Sequence, residues 1–125
     1  MGTCLRNRSA VAAWVQSRLL ERGASKETVV AAGERWSDGS LRPSVEDLWG
    51  AGAVIALLGE LGVGELSPEA RGAAAAFRDD ALRECSGGVE LSDAGFGDDV
   101  RVAARLDASR CVPVLDAARF VDAVG

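Results

Sequence analysis

Ala31-Ala32-Gly33-Glu34-Arg35-Trp36, with the helix start Ser44-Val45-Glu46-Asp47-Leu48-Trp49-Gly50-Ala51-Gly52 that follows it, decides the reading of this 125-residue chain. The first piece reads as the end of a buried strand. Thr28-Val29-Val30-Ala31-Ala32 is short, β-branched and apolar throughout, as expected of a strand covered on both faces. The second piece opens a helix with two carboxylates in its first turn. The loop between them carries Asp38, Gly39 and Arg42, and Trp36 is expected to pack under it. In open α/β folds, ligands sit beyond the carboxyl ends of the strands. Glu34, Arg35, Arg42, Glu46 and Asp47 therefore gather where a ligand is expected.

Two readings of Glu46 and Asp47 stand side by side. Ser44 is a good N-cap, and acids in a first turn are ordinary partners of the helix dipole. Gly50 and Gly52 add a second possibility. Each glycine costs a helix roughly 1 kcal/mol relative to alanine. Two in the second turn predict a close neighbour, either another helix or a ligand. Val54 to Leu61 is apolar nearly all round, so this helix is predicted to be buried.

Toward the amino terminus, Asn7 or Ser9 caps a predicted first helix that runs to about Arg22 and stops at Gly23. Val11, Trp14, Val15 and Leu19 share one face at helical spacing. Arg6 and Arg8 stand just before this helix, where positive charge opposes the macrodipole. Either they are solvated, or an anion is held between them and the free amides.

Toward the carboxyl terminus, Gly59, Gly62 and Gly64 form a loop. They do not complete a Gly-x-Gly-x-x-Gly phosphate motif, because Ser67 stands at the last place. Ser67-Pro68-Glu69 starts the next helix, with Ala70, Ala73, Phe77, Ala81 and Cys85 on one stripe and Gly87-Gly88 as its end. A short helical turn is expected over Glu90 to Ala94. Gly97-Asp98-Asp99 starts a further helix, with both acids as capping residues. Cys111 to Leu115 reads as a last strand, confined to an edge or end by Pro113. Arg119-Phe120-Val121 offers a return strand.

Bulk properties narrow the classes. Hydrophobic residues make up 48% of the chain, which fits a globular protein rather than a disordered one. The net charge of −5 speaks against a nucleic-acid partner. No run of about 18 apolar residues occurs, so no membrane partner is expected. Nor is there a signal-peptide pattern, and the expected location is cytoplasmic. Three cysteines, with no Cys-x-x-Cys spacing, suggest neither a disulfide framework nor a zinc knuckle. The chain has no histidine. Acid–base or metal chemistry must then rest on Asp, Glu, Lys, Arg, Ser or Cys, and carboxylates favour hard cations such as Mg²⁺ over zinc.

Four or five helices around two or three short strands give a helix-rich α/β class. Such a sheet cannot be completed alone, since parallel strands need neighbours on both sides. Residues 1–125 are therefore expected to be a single domain that forms part of a larger α/β fold.

The order of motifs resembles the carboxyl-terminal half of the 2-phosphosulfolactate phosphatase family, over nearly the whole chain. The resemblance is carried by Cys4-Leu5-Arg6-Asn7, Ala32-Gly33-Glu34-Arg35-Trp36 with Asp38-Gly39, and Leu41-Arg42-Pro43. Glu46-Asp47-Leu48 with Gly50-Ala51-Gly52 and Leu66-Ser67-Pro68-Glu69-Ala70 continue it. Gly95-Phe96, Asp98-Asp99-Val100 and Val112-Pro113-Val114 close it. The resemblance implies a three-layer α/β/α fold and a Mg²⁺-dependent phosphatase. The family converts 2-phospho-3-sulfolactate to 3-sulfolactate and phosphate, a step of coenzyme M biosynthesis. Two departures stand out. The family's amino-terminal half, with its Asp-Val-Leu-Arg strand end, is missing here. Where many members carry Ser-Gly-Arg-Glu-Leu, this chain has Gly87-Gly88-Val89-Glu90-Leu91.

The expected function is thus hydrolysis of a small anionic phosphate ester. Glu34 and Asp47 are the expected Mg²⁺ ligands. Glu46 is the expected catalytic residue, orienting or deprotonating the attacking water. Arg6, Arg35 and Arg42 are expected to clamp the substrate, with Asn7 as a neutral donor. The alternative is an inactive, truncated homologue that serves as a binding or assembly module. It would form a homo-oligomer or pair with a separate amino-terminal half.

Overall fold

Apolar residues recurring at helical spacing set the first element. Helix α1, Arg8–Arg22, buries Val11, Ala12 and Val15 and partly buries Trp14 and Leu19. The chain enters α1 through one 3-10 turn, Leu5–Asn7, and leaves it at Gly23, where φ is +76°. The structure, a computed structural model, describes residues 1–23 and 26–125.

Helix α2, Val45–Glu60, is the most buried element, with Ala51 to Ile55 and Leu58 inside. Its neighbour α3, Pro68–Ala76, starts as its sequence predicts. Pro68 takes the first turn and the Ser67 hydroxyl accepts a hydrogen bond from the Ala70 amide at 3.2 Å. The two helices approach so closely that a Cβ on Gly52 would collide with the Ala73 carbonyl oxygen. Of the two neighbours expected for this glycine pair, Gly52 meets a helix. A Cβ on Gly50 would meet nothing beyond its own helix within 4 Å among the described residues.

Helix α3 ends well before Gly87-Gly88. At Phe77 the backbone turns extended, with ψ at 133°. The Phe77 ring lies under the Arg8 guanidinium, 5.3 Å from its carbon, and so belongs to the α1 side rather than to a continuing stripe. The turn over Leu82 to Glu84 leads to α4, Ser86–Leu91, where the two glycines open a helix instead of closing one. Cys85 caps α4, its sulfur accepting from the Gly88 amide at 3.4 Å. A Cβ on Gly88 would strike the Leu82 carbonyl, which explains a glycine inside a helix. A π-helical turn, Ser92–Phe96, takes Gly95 through φ +91° into α5, Gly97–Ala103. Asp98 and Asp99 stand in the first turn of α5, and Asp98 pairs with Arg101.

The class is mixed and helix-rich, as expected. Among the described residues four short strands are present rather than two or three, in two antiparallel hairpins. Strands β1, Glu34–Arg35, and β2, Leu41–Arg42, pair with Glu34 opposite Arg42. Strands β3, Pro113–Asp116, and β4, Arg119–Asp122, pair with Leu115 opposite Phe120. The return strand over Arg119 to Val121 is thus confirmed. Thr28–Ala32 is not a strand. Its backbone groups find no partner among the described residues, and Val30 is 77% exposed. Apolar, β-branched composition suits a covered strand, but without a neighbouring strand it has no ladder to join.

The core joins α1, α2 and the approach to β3, through Val11, Ala12, Val15, Val54, Leu58 and Val112. Residues 107–112 run alongside the start of α1. The Asp107 amide donates to the Leu5 carbonyl at 3.1 Å and the Ser109 amide to the Arg6 carbonyl at 2.8 Å. Asp107 answers the question left open at α1. Its carboxylate accepts from the Ser9 amide at 2.9 Å and from Arg8 at 3.2 Å, so an anion does sit at this helix start and the chain supplies it. The Asp122 carboxylate ties the β3–β4 hairpin to this segment by accepting from the Val112 amide at 2.9 Å.

Two outcomes follow for stability. Gly52→Ala is expected to cost about 1–3 kcal/mol by forcing α3 away, while Gly50→Ala gains roughly the helix-propensity difference of 1 kcal/mol; urea denaturation of both variants checks the contrast. Burial pushes the Asp107 carboxyl up, but its Ser9 hydrogen bonds and Arg8 outweigh this and hold it below the usual carboxylate range. Because the folded-state value is the lower one, this contribution is complete above about pH 4 and is lost as the pH falls through the depressed value. Urea midpoints should therefore drop on acidification, and less steeply in Asp107→Asn.

Candidate functional site

The β1–β2 hairpin brings two of the predicted residues into contact directly. Its turn is tight. The Gly39 amide donates to the Trp36 carbonyl at 2.9 Å, and Gly39 takes φ +84°, a value that disfavours a side chain. Asp38 accepts from the Ser40 hydroxyl at 2.6 Å and from the Ser40 amide at 2.9 Å, which hold its carboxyl below the usual range. The Arg35 guanidinium donates to the Gly39 carbonyl at 2.8 Å, so Arg35 is used in bracing the turn.

Arg42 is the hub. Its Nη1 donates to Glu34 Oε2 at 3.3 Å across the hairpin. Its Nη2 donates to Glu90 Oε1 of α4 at 2.6 Å. The indole of Trp36 stacks on the guanidinium, 4.8 Å from its carbon. Trp36 is therefore not packed under the loop. It is 52% exposed, with one face on Arg42. The Glu90 hydrogen bond, then the charges of Glu90, Glu34 and Glu46, push Arg42 above its usual value against a smaller loss from burial. Glu90 is held below the usual carboxylate range, mainly by the same hydrogen bond.

Glu46 and Asp47 enter from the first turn of α2, both partly buried. The Glu46 carboxylate lies against the backbone of Gly87, where a Cβ would collide with it. It also receives the Cys85 thiol at 3.7 Å. Asp47 makes no hydrogen bond or ion pair among the described residues. The hairpin, the start of α2 and α4 thus converge on a patch holding Glu34, Arg42, Glu46 and Glu90.

Arg6 and Asn7 stand elsewhere, in the junction between the first turn and residues 102–111. Arg6 donates to the Val102 carbonyl at 2.7 Å. Asn7 is only 5% exposed. Its carbonyl oxygen accepts from the Cys4 amide at 2.8 Å and its amide group donates to the Cys111 carbonyl at 3.0 Å. Among the described residues, neither makes a hydrogen bond or ion pair to the Arg42 patch.

Glu90 and Cys85 were not among the expected site residues. Forty-eight positions separate Arg42 from Glu90, and no periodicity links them. The one available signal was the glycine pair before Glu90, whose lack of side chains lets the Glu46 carboxylate lie flat on α4.

The donors here are carboxylate oxygens, which suit a hard cation in kind. Glu34 already shares an oxygen with Arg42, and among the described residues no group of three or more His, Cys, Asp or Glu side chains is arranged so that it could hold a metal ion. Mg²⁺ asks for only one or two protein carboxylates and takes its other ligands from water and substrate. The donor set is compatible on those terms. No helix of the described residues is long and apolar enough to cross a membrane.

Comparison with known proteins bears on this patch. A family model described as 2-phosphosulpholactate phosphatase matches residues 1–118, and that span includes every residue named above as a candidate. No curated protein matches the chain.

One outcome separates folding from function in the Arg6–Asn7 junction. Asn7→Ala leaves the Cys4 amide and the Cys111 carbonyl without partners and is expected to cost about 1–3 kcal/mol. Differential scanning calorimetry reads this as a lower melting temperature.

Proposed function

The chain belongs to the 2-phosphosulpholactate phosphatase family, and on that footing we propose that it hydrolyses a small phosphate monoester, with 2-phospho-3-sulfolactate as the substrate to test first. The observation that carries this reading is the convergence of Arg42, Glu34 and Glu46 where the hairpin meets the first turn of α2. Phosphoryl transfer rests mainly on positioning and on neutralising charge. Arg42 supplies two guanidinium nitrogens for phosphate oxygens, and Arg35 serves the substrate only by leaving the Gly39 carbonyl it now braces. Glu46 is the group that orients a water or takes its proton. Its carboxylate lies against Gly87 and accepts from the Cys85 thiol, two contacts that limit its direction before substrate arrives. Glu34 and Asp47 would hold Mg²⁺, which supplies additional positive charge to the phosphoryl oxygens. In this reading Arg6 and Asn7 serve the substrate only if the junction opens.

A second reading rests on Thr28–Ala32. An unpaired apolar run beside a cavity of about 980 Å³, lined by Leu19, Ala51, Ile55, Leu58 and Ala73, favours an assembly module. That reading predicts association without turnover. Light scattering showing a monomer would count against it.

Phosphate release from 2-phospho-3-sulfolactate, with Mg²⁺ and with chelator, is the direct test. It should be run on this chain and on one extended by the amino-terminal half. Glu46→Gln is expected to lower kcat about a hundredfold or more with little change in KM. Glu34→Gln and Asp47→Asn are expected to raise the Mg²⁺ concentration required. Full activity in the last two variants would overturn their assignment.

A further inference from the structure

The Arg42 guanidinium has two carboxylates on it. One of them, Glu34, is its cross-strand neighbour and is fixed by the hairpin register. The other, Glu90, comes from a separate helix and makes the shorter contact, 2.6 Å against 3.3 Å. The two ligands differ in where they stand. Glu34 is on the same two-stranded ribbon as Arg42, so its backbone stays opposite Arg42 whichever way its side chain, 53% exposed, is turned. Glu90 is 58% exposed at its side chain and reaches over from α4, so a rotation of its own side chain is enough to release Arg42. Trp36 meanwhile keeps the guanidinium plane in place from one face.

We propose that Glu90 is a place-holding carboxylate on the phosphate-receiving edge of Arg42, displaced when a doubly charged phosphate oxygen pair takes its position. This rests on the phosphatase reading above and names a positioning residue within it. A carboxylate is planar and presents two oxygens to a guanidinium as one face of a phosphate does, so the same Nη2 serves both. The exchange is selective by charge. Glu34, Glu46 and Glu90 surround Arg42, and an incoming anion must gain more from the guanidinium than the carboxylate it replaces. A dianionic phosphate meets that condition, and a singly charged anion does not. Glu90 thereby keeps Arg42 oriented when the patch is empty and filters what enters it.

The test is a titration of the full 125-residue chain with inorganic phosphate, followed by Trp36 fluorescence and by the ¹³C carboxyl signal of Glu90. Phosphate should move both signals, and chloride at matched ionic strength neither. Glu90→Gln keeps the side-chain shape but removes the competing charge, and should bind phosphate about fivefold more tightly. Glu90→Asp keeps the charge on a shorter arm and should fall between the two. Arg42→Lys should abolish the response in every background. If Glu90→Gln does not fold, the wild-type carboxyl signal still decides the matter. Unchanged or weaker phosphate binding in Glu90→Gln, or a Glu90 signal indifferent to phosphate, overturns the proposal. Failure of turnover with intact phosphate exchange would sink the phosphatase reading and leave this role of Glu90 standing.

Discussion

A helix that begins with arginines has a debt of negative charge at its first turn, and much of this fold follows from how that is met. The free amides of α1 and the Arg8 guanidinium both call for an anion. Asp107 answers from nearly a hundred residues away. To place that carboxylate, the chain after α5 crosses the start of α1. The crossing puts Val112 into the core beside Val11 and Val15, and it brings Cys111 to the amide of Asn7. The Val112 amide in turn anchors Asp122, which closes the β3–β4 hairpin. Asp107 adopts φ +52°, a left-handed conformation that asparagine and aspartate accept more readily than other side chains.

The same logic of satisfied charge organises the other end of the molecule. There a single guanidinium faces a surplus of carboxylates. Glu34, Glu46 and Glu90 all act on Arg42, and helix α4 is pinned to the hairpin through it. The chain as a whole carries −5, so this patch is not a general anion trap. It discriminates by how well an anion competes with carboxylates already in place.

Much of the local structure was legible. The spacing of Val11, Trp14, Val15 and Leu19 gave α1 and its inner face, and Ser67-Pro68 gave the start of α3. These are signals that act within a few residues. What failed were readings that depend on a partner elsewhere. Thr28–Ala32 has strand composition, yet a strand exists only where another pairs with it. The alanine stripe through Phe77 to Cys85 has helical spacing, yet Phe77 packs against Arg8 and Cys85 caps the next helix. For the patch, the residues at its centre were visible as a cluster around one loop. Glu90 was not, because its link to Arg42 spans α2 and α3 and leaves no trace in periodicity. Trp36 was visible, but its place on the face of a guanidinium was not.

The Arg42–Glu90 pair also fixes how the patch behaves along the proton axis. Each member shifts the other away from neutrality, the base upward and the acid downward. The chain has no imidazole to titrate in between. A phosphate monoester, by contrast, gains its second negative charge near pH 6. Across the neutral range the Arg42–Glu90 pair therefore keeps a constant charge while the ester changes its own. At this pair, the acidity dependence of an exchange near neutrality is written in the ligand.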